Sequence, residues 1–382
     1  MSSGMTCPKC GLMQLPGPKC KSCGTALGGR VWPPTAPRQQ EPPPAPPPST
    51  AAQSPPSSQP AVSPPGMPQG ESRHLFFHGS GGSLFGIYII NMFLTVITLG
   101  VYYFWAKVKV RKYLSSESEF QGDRFAYHGT GRELLVGFLK AVLFFGVPLL
   151  ILGILREFLV RTPVLRVVLE LVIYTAVFLL VPVAIVGARR YRLSRTSWRE
   201  IRFSFRGRAL DFIKLFVTGS ALSSITFGLY YPFFDTRRHG FLVSQSYFGN
   251  QKFTFDGEGR KLFGSFLLTI LLSLPTLGLI WFWYQAKKRR YFWEHTSFAT
   301  IRFRSTVTGR RLFLLSVGNL VLLIVTLGFG FPWIMVRTVR FAYKYLTLEG
   351  PLDLSGIQQD AQAATATGEA LASFLDAGLD IG

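Results

Sequence analysis

Gly228, Gly278 and Gly328 recur at intervals of 50 residues, each two places after a threonine (Thr226, Thr276, Thr326), and Gly100 after Thr98 opens the series. Each of these turns follows an apolar run and leads through aromatic into basic residues, as in "VITLGVYYFWAKVKVRKY" at 96–113. Each unit begins with aromatic residues and a glycine: "FFHGSGG", "FAYHGTGREL", "FSFRGRAL", "FTFDGEGRKL" and a degenerate "FRSTVTGRRL". Repetition this regular copies one supersecondary unit about five times, and the copies must bury their apolar faces against one another.

The repeated units are too apolar for an ordinary soluble array. The chain of 382 residues is 48% hydrophobic, with 34 Phe against only 20 acidic residues. The uncharged runs 84–106, 262–284 and 312–336, with a shorter one at 215–234, are long enough to reach across a hydrocarbon core about 30 Å thick. The second unit carries a 28-residue expansion and holds two such runs, 134–155 and 164–187. The expected fold class is an α-helical polytopic membrane protein of about five 50-residue repeats. Short β-hairpins would lie between its membrane segments, because "EFQGDRFAYHG" and "SYFGNQKFTFDG" alternate aromatic and polar residues around turn signals. Copies of these hairpins on one face could associate into a small sheet.

The net charge of +21 sits beside the apolar runs, where Lys and Arg meet anionic headgroups, so the expected partner is the lipid bilayer and no nucleic acid is expected. Connectors 106–132, 188–209, 235–261 and 285–311 carry six, eight, five and eight positive charges against three, one, three and one negative. All four ask to be cytoplasmic, which favours an even number of crossings per unit with the Thr-x-Gly turn at the tip of a hairpin. Against this, Lys107 lies seven residues past Gly100. A cation at the bilayer centre costs about 2.5–3.5 kcal/mol. Six single spans and as many as ten helical segments in hairpins both remain open.

The stretches "FHGSGGSLFGIYIINMFLTVITLGVYYFWAKVKVRKY" and "DRFAYHGTGRELLVGFL" resemble the YjgN family of bacterial inner-membrane proteins, a domain-of-unknown-function family. The similarity covers about residues 75–352, and the fifth unit departs from it by lacking the aromatic-x-aromatic-x-Gly start. The resemblance implies a multi-pass protein of the bacterial cytoplasmic membrane and carries no activity or catalytic residue.

Outside the repeats (73–352) the chain divides into a segment at 1–30, a linker at 31–72 with fifteen prolines, and an acidic tail at 353–382. Cys7, Cys10, Cys20 and Cys23 form two C-x2-C pairs, spacing that lets four thiolates close a tetrahedral shell around a structural zinc. Two disulfides or a redox pair are the alternative. No cleavable signal peptide is visible, so the amino terminus is expected in the cytosol. The zinc ribbon or the tail offers a surface for a protein partner.

Polar residues at membrane depth are the remaining candidates. Asn91 and Asn319 each precede their unit's glycine by nine residues, where Gly219 and Thr269 stand in two other units. They could line a solute path or bond between helices. Lys140 and Glu170 occupy the two runs of the second unit and could pair, with Arg166 a nearer partner for Glu170. No nucleophile with a base, phosphate loop or zincin pattern is present, so catalytic residues are none and the expected protein is non-enzymatic. Membrane transport or permeation is the leading expectation, and a membrane-anchored scaffold acting through the zinc ribbon and tail is its rival.

Overall fold

The computed structural model describes residues 5–6, 13–14, 72–158, 162–351 and 356–359. The chain divides into two compact units, Met1–Pro64 and Pro65–Gly382. In the first, β1 (Met5–Thr6) pairs antiparallel with β2 (Met13–Gln14). The four cysteines, the proline-rich linker and the acidic tail past 359 lie outside the described residues.

The second unit repeats a helical hairpin followed by a β-hairpin. After β3 (Ser72–Phe77) come α1 (Gly81–Ile97), α2 (Tyr103–Ser116), β4 (Ser118–Phe120) and β5 (Asp123–Tyr127). Next, α3 (Gly131–Ala141) continues through a π-helical turn into α4 (Val147–Phe158), and α5 (Pro163–Ser194) leads to β6 (Thr196–Trp198) and β7 (Ile201–Phe205). Then α6 (Ala209–Ile225) and α7 (Tyr231–Ser244) precede β8 (Ser246–Phe248) and β9 (Gln251–Phe255). The pattern repeats in α8 (Gly259–Ser273), α9 (Ile280–Glu294), β10 (Thr296–Phe298) and β11 (Ile301–Ser305), and ends with α10 (Gly309–Val325), α11 (Phe331–Lys344) and β12 (Leu346–Glu349).

The strands overturn the expected fold class. Instead of short β-hairpins, at most a small sheet, between the membrane segments of an α-helical polytopic protein, β3 to β12 close into one ten-stranded antiparallel barrel. The chain ends supply the fifth hairpin: β12 pairs with β3, placing Leu348 opposite Arg73. Among the described residues, only Gly131–Phe158 and Pro163–Ser194 are helices both long and apolar enough to cross a bilayer. The other apolar runs are too short because each is broken by its Thr-x-Gly turn.

Those turns are alike in detail. Thr98 Oγ1 donates to the Leu94 carbonyl at 2.7 Å and accepts from the Tyr102 amide at 2.9 Å. Leu99 and Gly100 both adopt left-handed backbone, at φ 49° and 91°, and the Gly100 amide closes onto the Thr95 carbonyl. Two successive left-handed residues reverse the chain, and glycine takes the second at no steric cost. Thr226–Gly228, Thr276–Gly278 and Thr326–Gly328 repeat this turn. The residue between threonine and glycine is Leu99, Phe227, Leu277 or Leu327, at least 87% exposed in every case.

The helices also form a closed circuit. Besides the pair within each unit, α2 packs on α3, α5 on α6, α7 on α8, α9 on α10, and α11 on α1. Glycine at the start of the following helix permits the close approach: a Cβ on Gly81, Gly131 or Gly309 would strike the ring of Trp333, Trp105 or Trp283. The α5–α6 seam carries Val183 and Ala209 at the equivalent positions.

Barrel register explains the aromatic-x-aromatic-x-Gly start. The first residue of the pattern, Leu75 in the first unit and an aromatic in the others, points inward, and the second packs over the glycine, so that a Cβ on Gly79, Gly129, Gly207 or Gly257 would collide with Phe77, Tyr127, Phe205 or Phe255. The fifth unit keeps the inward Phe303 but places Ser305 and Val307 where the others have aromatic and glycine. Losing the ring removes the obstacle to a side chain, and Val307 is buried in its place. The unit that looks degenerate in sequence is the same structure with two compensating changes.

Candidate functional site

The inward residues form a single layer of five cross-strand pairs, one at each seam between hairpins: Leu75–Phe120, Phe125–Trp198, Phe203–Phe248, Phe253–Phe298 and Phe303–Leu348. Trp198 donates its indole N–H to the Phe120 and Asp123 carbonyls, both at 3.3 Å. Ile357 packs against this layer from the turn end, and its neighbours tie it to the hairpin tips. Gln359 Oε1 accepts from the Arg202 amide at 2.7 Å, and the Gly356 carbonyl accepts from Asn250 Nδ2 at 3.2 Å.

On the helix side of the layer lies a chamber of about 350 Å³. Leu193, Leu242, Val243 and Trp293 from α5, α7 and α9 complete its apolar wall. A neighbouring cavity of about 310 Å³ shares Phe125, Leu193 and Phe203 and extends beneath α2 and α11. The helix ends above the barrel are satisfied by a repeated hydroxyl. Ser118, Thr196, Ser246 and Thr296 donate to the Leu114, Arg192, Leu242 and Phe292 carbonyls at 2.7–2.9 Å.

Among the described residues, Arg189 and His239 are the ionisable side chains that line the chamber. Arg189 Nη2 approaches Ser246 Oγ at 3.5 Å, while its Nε is buried without a hydrogen-bond partner. His239, at the barrel end of α7, stacks on Phe292 with ring centroids 4.3 Å apart. Burial pushes His239 down to about 4; Asp235 opposes the shift, and Arg189, Arg238 and Lys288 reinforce it, so the imidazole is neutral at pH 7. Asp235 is itself buried and held by Arg238 at 2.8 Å and by Lys288 of the next unit at 2.9 Å. Other basic residues are structural: Arg190 and Arg340 donate to the Gly207 and Gly79 carbonyls at 2.7 and 2.6 Å.

The residues singled out from the sequence fall elsewhere. Asn319 Nδ2 donates to Thr338 Oγ1 across its own hairpin at 3.3 Å, and Thr269 bonds back to the Ser265 carbonyl. Asn91 is buried, with both amide atoms lacking a partner. None of these residues lines the chamber. Glu170 pairs with Arg156 across α4 and α5 at 3.3 Å and accepts from Tyr174, so its partner is neither Lys140 nor Arg166. Lys140 is exposed on α3. Sequence reasoning missed Arg189 and His239, which share one repeat position with Arg111, Arg289 and Val339.

Within Pro65–Gly382 the repeats form a closed ring of five, helical hairpins on one side and an aromatic-filled barrel on the other. Two segments, 72–278 and 268–374, match the family described as "Bacterial protein of unknown function (DUF898)", and the chain belongs to that family. It is 37% identical over 134 residues to the inner membrane protein YjgN of Escherichia coli K12, a match covering 35% of this chain and 31% of that one. The corresponding protein of Salmonella typhimurium is 40% identical over 75 residues, covering 20% of this chain and 19% of that one. The chain thus matches about a third or less of the length of these relatives. No solved structure matches.

Proposed function

We propose that the protein is a non-enzymatic binding platform of the bacterial inner membrane, with four of its helical hairpins seated in one leaflet and its barrel in the cytoplasm. The observation that carries this is the depth at which positive charge begins. Lys107, Arg237, Lys287 and Arg337 stand five to eight residues into α2, α7, α9 and α11. At 1.5 Å per residue these cations lie about 6–11 Å along their helices from the tip-side ends, within a single leaflet of a core about 30 Å thick. Lys107 and Lys109 rest over the rings of Tyr103 and Tyr102, as snorkelling side chains do at an interface. The second unit is different, because helices of 28 and 32 residues reach about 42 and 48 Å and cross.

A ring with one spanning hairpin has no continuous wall across the bilayer, which disfavours a solute path. Of the polar positions that suggested transport, Asn319 bonds to Thr338 within its hairpin and Thr269 back onto its own helix, which favours a structural role for these two. In this reading Cys7, Cys10, Cys20 and Cys23 hold a structural zinc, and that segment and the acidic tail recruit protein partners to the membrane.

Single-cysteine labelling in a version lacking the four native cysteines tests the reading. Thr162→Cys is expected to react with an impermeant thiol reagent from the periplasm, and Gln121→Cys and Gln251→Cys only from the cytoplasm. Leu99→Cys and Leu277→Cys should resist both and be reached by lipid-borne quenchers. Periplasmic labelling at Leu99→Cys or Leu277→Cys would show that these hairpins cross, and the reading fails.

A further inference from the structure

We propose that the barrel chamber binds a single-chain amphipathic anion, with its hydrocarbon chain against the aromatic layer and its carboxylate or phosphate at Arg189. The wall is apolar except at its helix end, and a volume of about 350 Å³ falls within the ~300–1,000 Å³ of small-molecule sites. The same end holds a guanidinium with a buried, unpartnered Nε, and a buried cation without a counter-charge carries a desolvation penalty that an anion would offset. No carboxylate of the protein does so among the described residues: Asp235, the acid of this cluster, is taken by Arg238 and Lys288.

The available donors suit a flat or tetrahedral anion. Arg189 presents a planar fork to which two oxygens can bind side by side. His239 lines the same cavity and makes no hydrogen bond to the described residues, so a ring N–H is free to join. Ser246 and Thr296 have committed their protons to the helix carbonyls and add no donor. Arg189, Arg238 and Lys288 against Asp235 leave the cluster net positive, which rejects a cationic head. A wholly apolar ligand would leave Arg189 unpaired. With Ile357 packed at the turn end, the chain enters from the helix side, tail first.

The test uses the full chain in a neutral detergent, titrated by calorimetry with decyl phosphate, decyltrimethylammonium and inorganic phosphate. Because it needs no bilayer, its outcome is separate from that of the labelling experiment. Decyl phosphate should saturate a single class of site, the cationic amphiphile should not bind there, and inorganic phosphate should compete weakly. Arg189→Gln should weaken decyl phosphate at least about tenfold, the loss expected for one charged hydrogen-bonding group. Leu75→Trp, which fills the chamber from the one aliphatic member of its seam-opening positions, should abolish binding. Lys252→Gln on the outer barrel face should leave it unchanged.

Equal binding of the two head groups, or parent-like binding by Leu75→Trp, overturns the proposal. So does parent-like binding by a folded Arg189→Gln. Should Arg189→Gln fail to fold, the head-group comparison and Leu75→Trp decide. Mass spectrometry of ligands retained on purification separates the sources. A monoacyl anionic lipid displaced by decyl phosphate means a bilayer ligand, and an empty chamber that still binds decyl phosphate means a soluble one.

Discussion

The two ends of the repeated unit tolerate very different changes. At the helical end the second unit extends its hairpin to 28 and 32 residues, where α6 and α7 have 17 and 14. At the strand end the same unit keeps strands of three and five residues joined by a two-residue turn, as its neighbours do. Each strand in a closed barrel pairs on both sides, and a slip of one residue would turn an inward aromatic outward. Among the described residues a Cβ on Gly100, Gly228 or Gly328 would meet nothing within 4 Å, so the length of such a hairpin is free to answer to the surroundings. The barrel is the constrained half of the molecule, and the tips are the adaptable half.

Trp198→Ala should break the constrained half most severely. The side chain is 4% exposed and packs against Phe120, Phe125 and Phe248 while bridging two carbonyls. Removing a buried aromatic of this size costs about 3–5 kcal/mol. Thermal unfolding in detergent should record that loss, and a stability within 1 kcal/mol of the parent would mean that the aromatic layer is not the core of the barrel.

The compensating pair of the fifth unit offers a smaller and sharper comparison. Gly257→Val drives a side chain into the Phe255 ring and should cost about 1–3 kcal/mol as overpacking. Adding Phe255→Ser recreates the arrangement that Ser305 and Val307 already hold, and should recover part of the loss. The cycle should give a coupling of about 0.5–3 kcal/mol. Strict additivity would show that the fifth unit diverged for some other reason.

The same contrast explains what could be read from the sequence. The Thr-x-Gly turn and the 28-residue expansion are local signals, and each marks the feature it suggested: a reversal and a long hairpin. The two-residue strand turns were legible too, from Gly122 and Asn250. Barrel closure was not, because it depends on Ser72–Phe77 meeting Leu346–Glu349 from the far end of the repeats, and strands of three residues carry almost no periodicity. Arg189 and His239 were hidden for a related reason. In "GARRYRL" one arginine faces the chamber and the next caps a glycine carbonyl, and only the helical phase set by ring closure separates them.

At the adaptable end the expected effects are smallest, because glycine serves a different purpose there. A Cβ on Gly278 would meet open space, its nearest neighbour being Trp281 at 4.0 Å, whereas one on Gly257 meets a ring. Gly278→Ala therefore adds only the strain of placing a β-carbon at φ 80°, about 1–2 kcal/mol, beside a leucine that already bears similar strain. Leu277→Gly should relieve that leucine and stabilise the protein slightly in detergent while weakening its hold on lipid vesicles. The opposite signs are the useful readout: a tip selected for folding alone would carry glycine at both left-handed positions, and a gain in both assays would remove the reason for an exposed leucine there.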